Sequence, residues 1–303
     1  MIPSAYPSLT RMAERQIVAF PEHRAYLEKR FADTTPDGFA FAEEIAGKVL
    51  RIADTDLDRI CEDYKWLSGI VLEEELHFRR TGRYRLSTFE EADHEVYSNR
   101  PFMTRYMNGL LATQLWWRNH TEILRFFRDR FVAGNPLGFR HLEIGPGHGL
   151  FLSLAAGTPN CRAAEGWDIS DASIASTRAA LKAMGFGPKI GLEKVNLFAA
   201  PDAQFDSICF SEVLEHLERP ADALAVLLRL LAKNGRVFVN APVNSPAPDH
   251  LYLFRAPEEV EQMVEAAGFA IEDRLFSPCT GATLERARKL KLSISAGVIA
   301  RKP

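Results

Sequence analysis

An α/β fold, in which a mostly parallel seven-stranded sheet carries helices on both faces behind a mainly helical leading segment, is predicted by three features of the sequence. Up to about Phe131 the apolar residues recur at helical spacing with almost no strand signal. From Phe139 onward short apolar runs alternate with helical stretches. Between the two halves, AGNPLG from Ala133 to Gly138 reads as a loop. Such alternation implies parallel strands covered on both faces, with a ligand site at their carboxyl ends. The expected division is a helical domain over 1–132 and an α/β domain over 133–303.

In the first half, Leu57, Ile60, Tyr64, Leu67, Val71 and Leu72 mark one helix over 56–80. RRTGRYRLST, Arg79 to Thr88, has a Thr-Gly turn followed by alternating Tyr84 and Leu86, which predicts a small hairpin or wing. A second long helix is expected from Pro101 to Phe131 through Met103, Tyr106, Met107, Leu110, Leu111, Leu115 and Trp116. His94 and His120 flank it beside Tyr97, Tyr106, Trp116 and Trp117. Aromatic residues at this spacing are read as core, with a substrate-covering lid as the competing reading.

In the second half the strands are expected at 140–144, 163–168, 190–195, 205–210, 235–240, 270–276 and 293–300. Helices are expected at 149–156, 171–184, 220–232 and 257–267.

The chain has 303 residues, 47% of them hydrophobic, which is enough to fill one large core or two ordinary ones. Its 37 basic and 40 acidic residues create no overall field towards nucleic acid or an anionic membrane. The short basic runs Arg79 to Arg85 and Arg286 to Lys291 are read as solvated faces. Cys61, Cys161, Cys209 and Cys279 lie far apart without a CxxC pair, which argues against a disulfide framework or cysteine zinc site and suits a reducing cytoplasm. The residues after Met1 do not resemble a leader, and eighteen apolar residues never follow one another, so neither secretion nor a membrane span is expected.

HLEIGPGHG, His141 to Gly149, is a short apolar strand running into three glycines and then into the apolar helix LFLSLAA. Glycines at a strand-to-helix turn let the backbone approach a nucleotide-like ligand closely. The dinucleotide fingerprint would set its third glycine at position 150, where Leu150 stands. The spacing is instead Glu143, Gly145, Gly147, Gly149. Asp168 in GWDIS ends the next strand 23 residues after Gly145, where a carboxylate can accept both hydroxyls of a ribose; capping of the helix near Asp171 is the bland alternative.

This pattern resembles motif I of the class I S-adenosylmethionine-dependent methyltransferases, and the resemblance runs over about residues 120 to 303. It implies a Rossmann-like fold and S-adenosylmethionine as cofactor. Glu143 would then serve the methionine end, Gly145, Gly147 and Gly149 the close approach, and Asp168 with Ile169 the ribose. Asn196 and Leu197 would meet adenine, and Ser211 would close the cofactor site at the end of the fourth strand.

SEVLEHLERP, Ser211 to Pro220, is expected to carry Glu212, Glu215 and His216 on one helical face beside the methyl group. E-x-x-E-H is similar to segments that bind a divalent metal in two groups, the ubiquinone-pathway O-methyltransferases and the small-RNA 3′-terminal 2′-O-methyltransferases. The second group adds a histidine from a D-H stretch, matched here by PDHLYLF with Asp249, His250 and Phe254. The resemblance implies a site of Glu212, Glu215, His216 and His250 for Mg, Mn, Fe or Zn, and catalytic roles for His250, His216 and Glu212. A metal-free reading, with His250 acting alone as base or substrate contact, stays open. His148 is expected at the cofactor edge.

The helical first half is similar to the winged-helix-like domain that dimerises and covers the substrate in plant and antibiotic-pathway O-methyltransferases, so a lid and a homodimer are expected. The implied function is methylation of a small hydroxylated metabolite at oxygen. Carbon or nitrogen methylation and RNA 2′-O-methylation are the alternatives, the last disfavoured by the lack of a strong basic groove signal.

Overall fold

The computed structural model describes residues 2–303. The first half is helical: α1 (Pro7–Ala19), α2 (Arg24–Phe31), α3 (Pro36–Ala53), α4 (Leu57–Thr81), the short α5 (Phe89–Ala92), α6 (Arg100–Trp116) and α7 (Arg118–Phe126). Thr35 caps α3 through the Gly38 N–H, and Asn99 caps α6 through the Phe102 N–H, each with proline in the first turn.

Two expectations for this half fail. No strand forms over Arg79–Thr88. Gly82, at φ 68°, ends α4 in the left-handed conformation instead of turning a hairpin. Tyr84 and Leu86 are nonetheless buried, so the alternation marks an extended strap packed on the protein. The long helix after Pro101 is also broken, at Trp117 (φ −94°, ψ 118°). The carbonyls that would continue α6 are taken by side chains: Thr121 Oγ1 donates to Gln114 O at 2.7 Å and Arg30 Nε to Leu115 O at 3.3 Å.

The second half contains β1 (Phe139–Ile144), α8 (Leu150–Ala156), β2 (Cys161–Asp168), α9 (Asp171–Ala183), β3 (Ile190–Lys194), β4 (Phe205–Ser211), α10 (Pro220–Leu230), β5 (Leu231–Val243), α11 (Pro257–Ala266), β6 (Ala270–Pro278), α12 (Leu284–Leu290) and β7 (Ile294–Arg301). The sheet order is β3-β2-β1-β4-β5-β7-β6. The first five strands are parallel, and β7 runs antiparallel to both β5 and β6. This is a Rossmann-like sheet with a helical leading region. From β1 the chain winds outward to β2 and β3, then returns to place β4 on the other side, so the switch point at which folds of this kind take a ligand lies between the carboxyl ends of β1 and β4.

One face of the sheet is continuous with the helical half. Phe127 and Phe131, in the π-helical turns that follow α7, pack with Phe151 and Phe238, and the same core continues through Trp116, Tyr64, Phe41 and Leu9. The other face is covered by α10 and α11 through Leu224, Leu227, Val260 and Val264. The four cysteines are free, and no helix among the described residues is long and apolar enough to cross a membrane.

Candidate active site

The glycine loop needs its glycines. Gly145, Gly147 and Gly149 have φ of 65°, 50° and 72°, a region closed to most side chains. A Cβ on Gly145 would stand 3.2 Å from Val213 Cγ2, and one on Gly147 3.5 Å from Met107 Cε of α6. The helical half therefore lies directly on this loop. Glu143 is buried below it: burial pushes its carboxyl well above the usual range, the Leu152 N–H at the start of α8 opposes that, and Oε2 has no partner.

Along β2 and β3 the polar groups are held by their own turns. Asp168 Oδ1 accepts from Ser170 N at 2.8 Å, and burial raises its carboxyl above the ordinary value. Asn196 Oδ1 accepts from Phe198 N at 3.0 Å. Ile169 is exposed and Leu197 half-buried beside them, so these ends of β2 and β3 present one accessible edge. His148 is half-buried; its Nδ1 accepts from Leu150 N, and burial lowers its pKa to about 4.

At the end of β4 the backbone departs from the expected helix. Glu212 sits at φ 55°, and only Leu214–His216 form a single 3-10 turn, so Glu212 does not share a helix face with Glu215 and His216. The side chains part accordingly. Glu212 turns to β5, where Asn240 Nδ2 donates to its Oε1 at 2.6 Å and to Ser211 Oγ at 3.2 Å, and its N–H donates to Asn240 O. Burial pushes the Glu212 carboxyl up to about 7 despite the Asn240 bond and the nearby His216.

Glu215, His216 and His250 come together instead, each offering a donor atom within 4.8 Å of the others. Glu215 is fully buried, and neither of its carboxylate oxygens has a hydrogen-bond partner. Burial, then the charge of Glu212, holds its carboxyl well above the usual range. Its main-chain carbonyl accepts from Leu251 N and Tyr252 N, which ties the turn to the loop bearing His250. Each histidine lies with Nδ1 near a main-chain oxygen: His216 near Asp249 O at 3.0 Å, His250 near Ser245 O at 2.7 Å. A carbonyl only accepts, so Nδ1 carries a proton in both rings, and Nε2 is the nitrogen left to face the site, that of His216 lying 3.5 Å from Glu215 Oε1. Burial lowers the His250 pKa to about 4, which keeps that ring neutral.

Asp249 lies behind the histidines, buried. Its Oδ1 accepts from Tyr106 OH at 2.8 Å and its Oδ2 from Tyr97 OH at 3.4 Å. Burial and the Asp249 charge push both phenols well above their ordinary value, so they remain donors. Glu215 and Asp249 thus bring two carboxyl groups to the His216 ring, at 3.5 Å from Nε2 and 3.6 Å from Nδ1, and among the described residues neither forms an ion pair with lysine or arginine. A divalent cation fits this donor set: a buried carboxylate without a hydrogen bond, two imidazoles beside it, and a second buried carboxylate behind them.

Of the residues expected at the site, Glu215, His216 and His250 are brought together, while Glu212 stands aside with Asn240. Of the aromatic set, Trp116 is core, its Nε1 bonded to Gln16, whereas Tyr97 and Tyr106 face the site. His120 is half-buried with Nδ1 on Thr113 Oγ1 at 2.9 Å, and His94 is exposed. Asn240 escaped the sequence reading, although a lone amide in the apolar run RVFVNAPV was a signal of a satisfied buried partner.

Known proteins share this architecture. A methyltransferase domain model matches residues 116–287. A protein of Mycolicibacterium smegmatis named as a probable S-adenosylmethionine-dependent methyltransferase is 30% identical over 181 residues; the match takes in 56% of this chain and spans 65% of that relative's length. Among solved structures, the mitomycin 7-O-methyltransferase MmcR is similar with a TM-score of 0.54 at 15% identity, over 82% of this chain and 72% of its own. That likeness is one of fold and includes helical leading segment and sheet together. The N-methyltransferase NodS of Bradyrhizobium japonicum, solved with S-adenosyl-L-homocysteine, is similar with a TM-score of 0.47 at 19% identity, over 61% of this chain and 85% of its own. Since the family model covers more than half of its 303 residues, the chain belongs to the methyltransferase domain family.

Proposed function

We propose that the protein transfers the methyl group of S-adenosylmethionine to a hydroxyl of a small hydroxylated metabolite, with Glu215, His216 and His250 holding a divalent cation. The observation that carries the cation is the buried Glu215 carboxyl with two unpartnered oxygens between two imidazoles. An orphaned buried acid costs stability, and a cation is the partner that removes the cost. Two nitrogens and one carboxylate suit Mn, Fe or Zn better than Mg, which prefers oxygen. Bound there, such a cation acts as a Lewis acid that lowers the pKa of a coordinated hydroxyl.

The remaining roles fall to the chain's own groups. The glycine loop, Asp168 and the edge at Ile169, Asn196 and Leu197 bind and orient the donor. Glu212, held by Asn240 and poised near neutrality, takes the acceptor's proton. Methyl transfer is chiefly a matter of alignment and exclusion of water, which the helical half supplies by lying on the glycine loop. The basic runs weigh against an RNA acceptor, since Arg79, Arg85 and Arg288 are paired with Glu75, Glu74 and Glu258.

Titration with S-adenosylhomocysteine, elemental analysis and turnover of a vicinal diol before and after chelation test this reading. Binding of the cofactor product, bound Mn, Fe or Zn, and loss of turnover on chelation are expected. Failure to bind the cofactor product sinks the whole reading. Binding with turnover indifferent to chelation removes the cation and leaves Glu212 or His250 as an unaided base.

A further inference from the structure

Three tyrosines from three separate parts of the helical half converge on one loop of the α/β half, residues 245–250. Tyr84, on the strap after α4, accepts Ser245 N at its hydroxyl (3.2 Å) and sets its ring edge-to-face on His250, with centroids 5.7 Å apart. Tyr97, in the π-helical turn after α5, and Tyr106, in α6, both donate to the Asp249 carboxylate. The same two loop residues supply the main-chain oxygens that receive Nδ1–H: Ser245 O for His250 and Asp249 O for His216. Tyr97 OH also lies 3.2 Å from His216 Nδ1.

From this convergence we infer that Tyr84, Tyr97, Tyr106 and Asp249 are positioning residues, a clamp through which the helical half sets the tautomer and aim of His216 and His250. The inference rests on the reading of those histidines as the acceptor site. Without Tyr106 and Tyr97, Asp249 is a buried carboxylate with no donors, and the loop that offers Asp249 O and Ser245 O loses the contact that holds its register. A cover that served only to exclude water would need apolar contacts of the kind Met107 makes over Gly147, not phenols committed to the shell behind the two imidazoles. Partners in that position commonly change metal affinity by about 10–100-fold when removed.

The full chain carries the test. With Tyr106→Phe, Asp249→Asn and the double variant, calorimetry reads Mn²⁺ affinity and, separately, S-adenosylhomocysteine affinity, while ¹⁵N imidazole shifts read the tautomers of His216 and His250. Each single variant is expected to weaken Mn²⁺ by about 10–100-fold and to leave the cofactor product within about twofold, because a residue behind the acceptor site has no contact with the donor. The double variant should be no worse than the more damaging single variant, since Tyr106 acts on the loop only through Asp249, whose charge the second change removes. The Nδ1–H form should dominate both rings in the unaltered protein and give way to a mixture in the variants. Mn²⁺ affinity and tautomers unchanged by the substitutions, or equal losses of Mn²⁺ and cofactor product, overturn the clamp. If the unaltered protein takes no Mn²⁺, the cation of the proposed function falls, and the tautomers alone decide the clamp.

Discussion

The two sides of the crevice satisfy their polar groups in opposite ways. On the proposed donor side, Asp168 and Asn196 are held by N–H groups two residues further along their own turns. On the proposed acceptor side, Glu212 depends on Asn240 of another strand, Asp249 on phenols some 143 to 152 residues away, and the Glu215 carboxyl on no hydrogen bond, only the neighbouring His216 ring. The donor side is therefore complete wherever the local sequence folds. Its neighbour takes its phenol donors from the helical half and, on the proposed reading, positive charge from a bound cation. A fold that receives one donor and many acceptors gains from this arrangement, because the acceptor side can change without disturbing cofactor binding.

The sharpest way to break the comparison is Glu215→Leu, which should do opposite things to activity and stability. Turnover is expected to fall by about a thousandfold, in line with the several kcal/mol that a Lewis acid supplies at a reacting oxygen. Stability of the metal-free protein to urea should instead rise by about 1–3 kcal/mol, since an unpartnered buried carboxyl is replaced by an apolar group of similar volume. A variant that loses both would mean that Glu215 has a structural partner. Asp168→Asn comes next. Loss of a charged acceptor for ribose hydroxyls is expected to weaken S-adenosylhomocysteine by roughly 10–150-fold, from about 1.5–3 kcal/mol, with Mn²⁺ affinity unchanged. Losses on both sides would show that the two halves of the crevice are coupled.

The same contrast decides what could be read from the sequence. The backbone of the proposed donor side was legible because its signals are local: three glycines at positive φ in HLEIGPGHG, and an aspartate ending the next strand. Strand and helix positions in that half also emerged from periodicity, except α12, a helix of only seven residues. The acceptor side was half legible. The motif picked out Glu215, His216 and His250, but its helical spacing placed Glu212 with them, because nothing in SEVLEHL reveals that residue 212 adopts φ 55°. The clamp was hidden altogether. Tyr84, Tyr97 and Tyr106 recur at spacings that suit a core, and only tertiary contact shows which of them turns its hydroxyl to Asp249 or Ser245.

His141, on β1 beneath both sides, offers the smallest and most even effect. Its ring is buried among Phe127, Phe131 and Phe139, Nδ1 lies 2.9 Å from Ser207 Oγ, and Nε2 has no partner. Burial lowers its pKa to about 3. The folded state therefore keeps the ring neutral while the unfolded chain protonates near pH 6.5. The unfolded state binds more protons between those values, so stability is full above pH 6.5 and is lost as pH falls towards 3. At pH 5 the loss from this one ring is about 2 kcal/mol. His141→Asn keeps a partner for Ser207 and does not titrate. Its stability to urea should thus fall between pH 7.5 and pH 5 by about 2 kcal/mol less than that of the unaltered protein, whatever its stability at pH 7.5. Equal falls would mean that the buried ring takes up its proton as readily as the unfolded chain does. Because β1 carries the glycine loop and pairs with β4, this loss should weaken both sides of the crevice together, in contrast to Glu215→Leu and Asp168→Asn, each of which should touch one side alone.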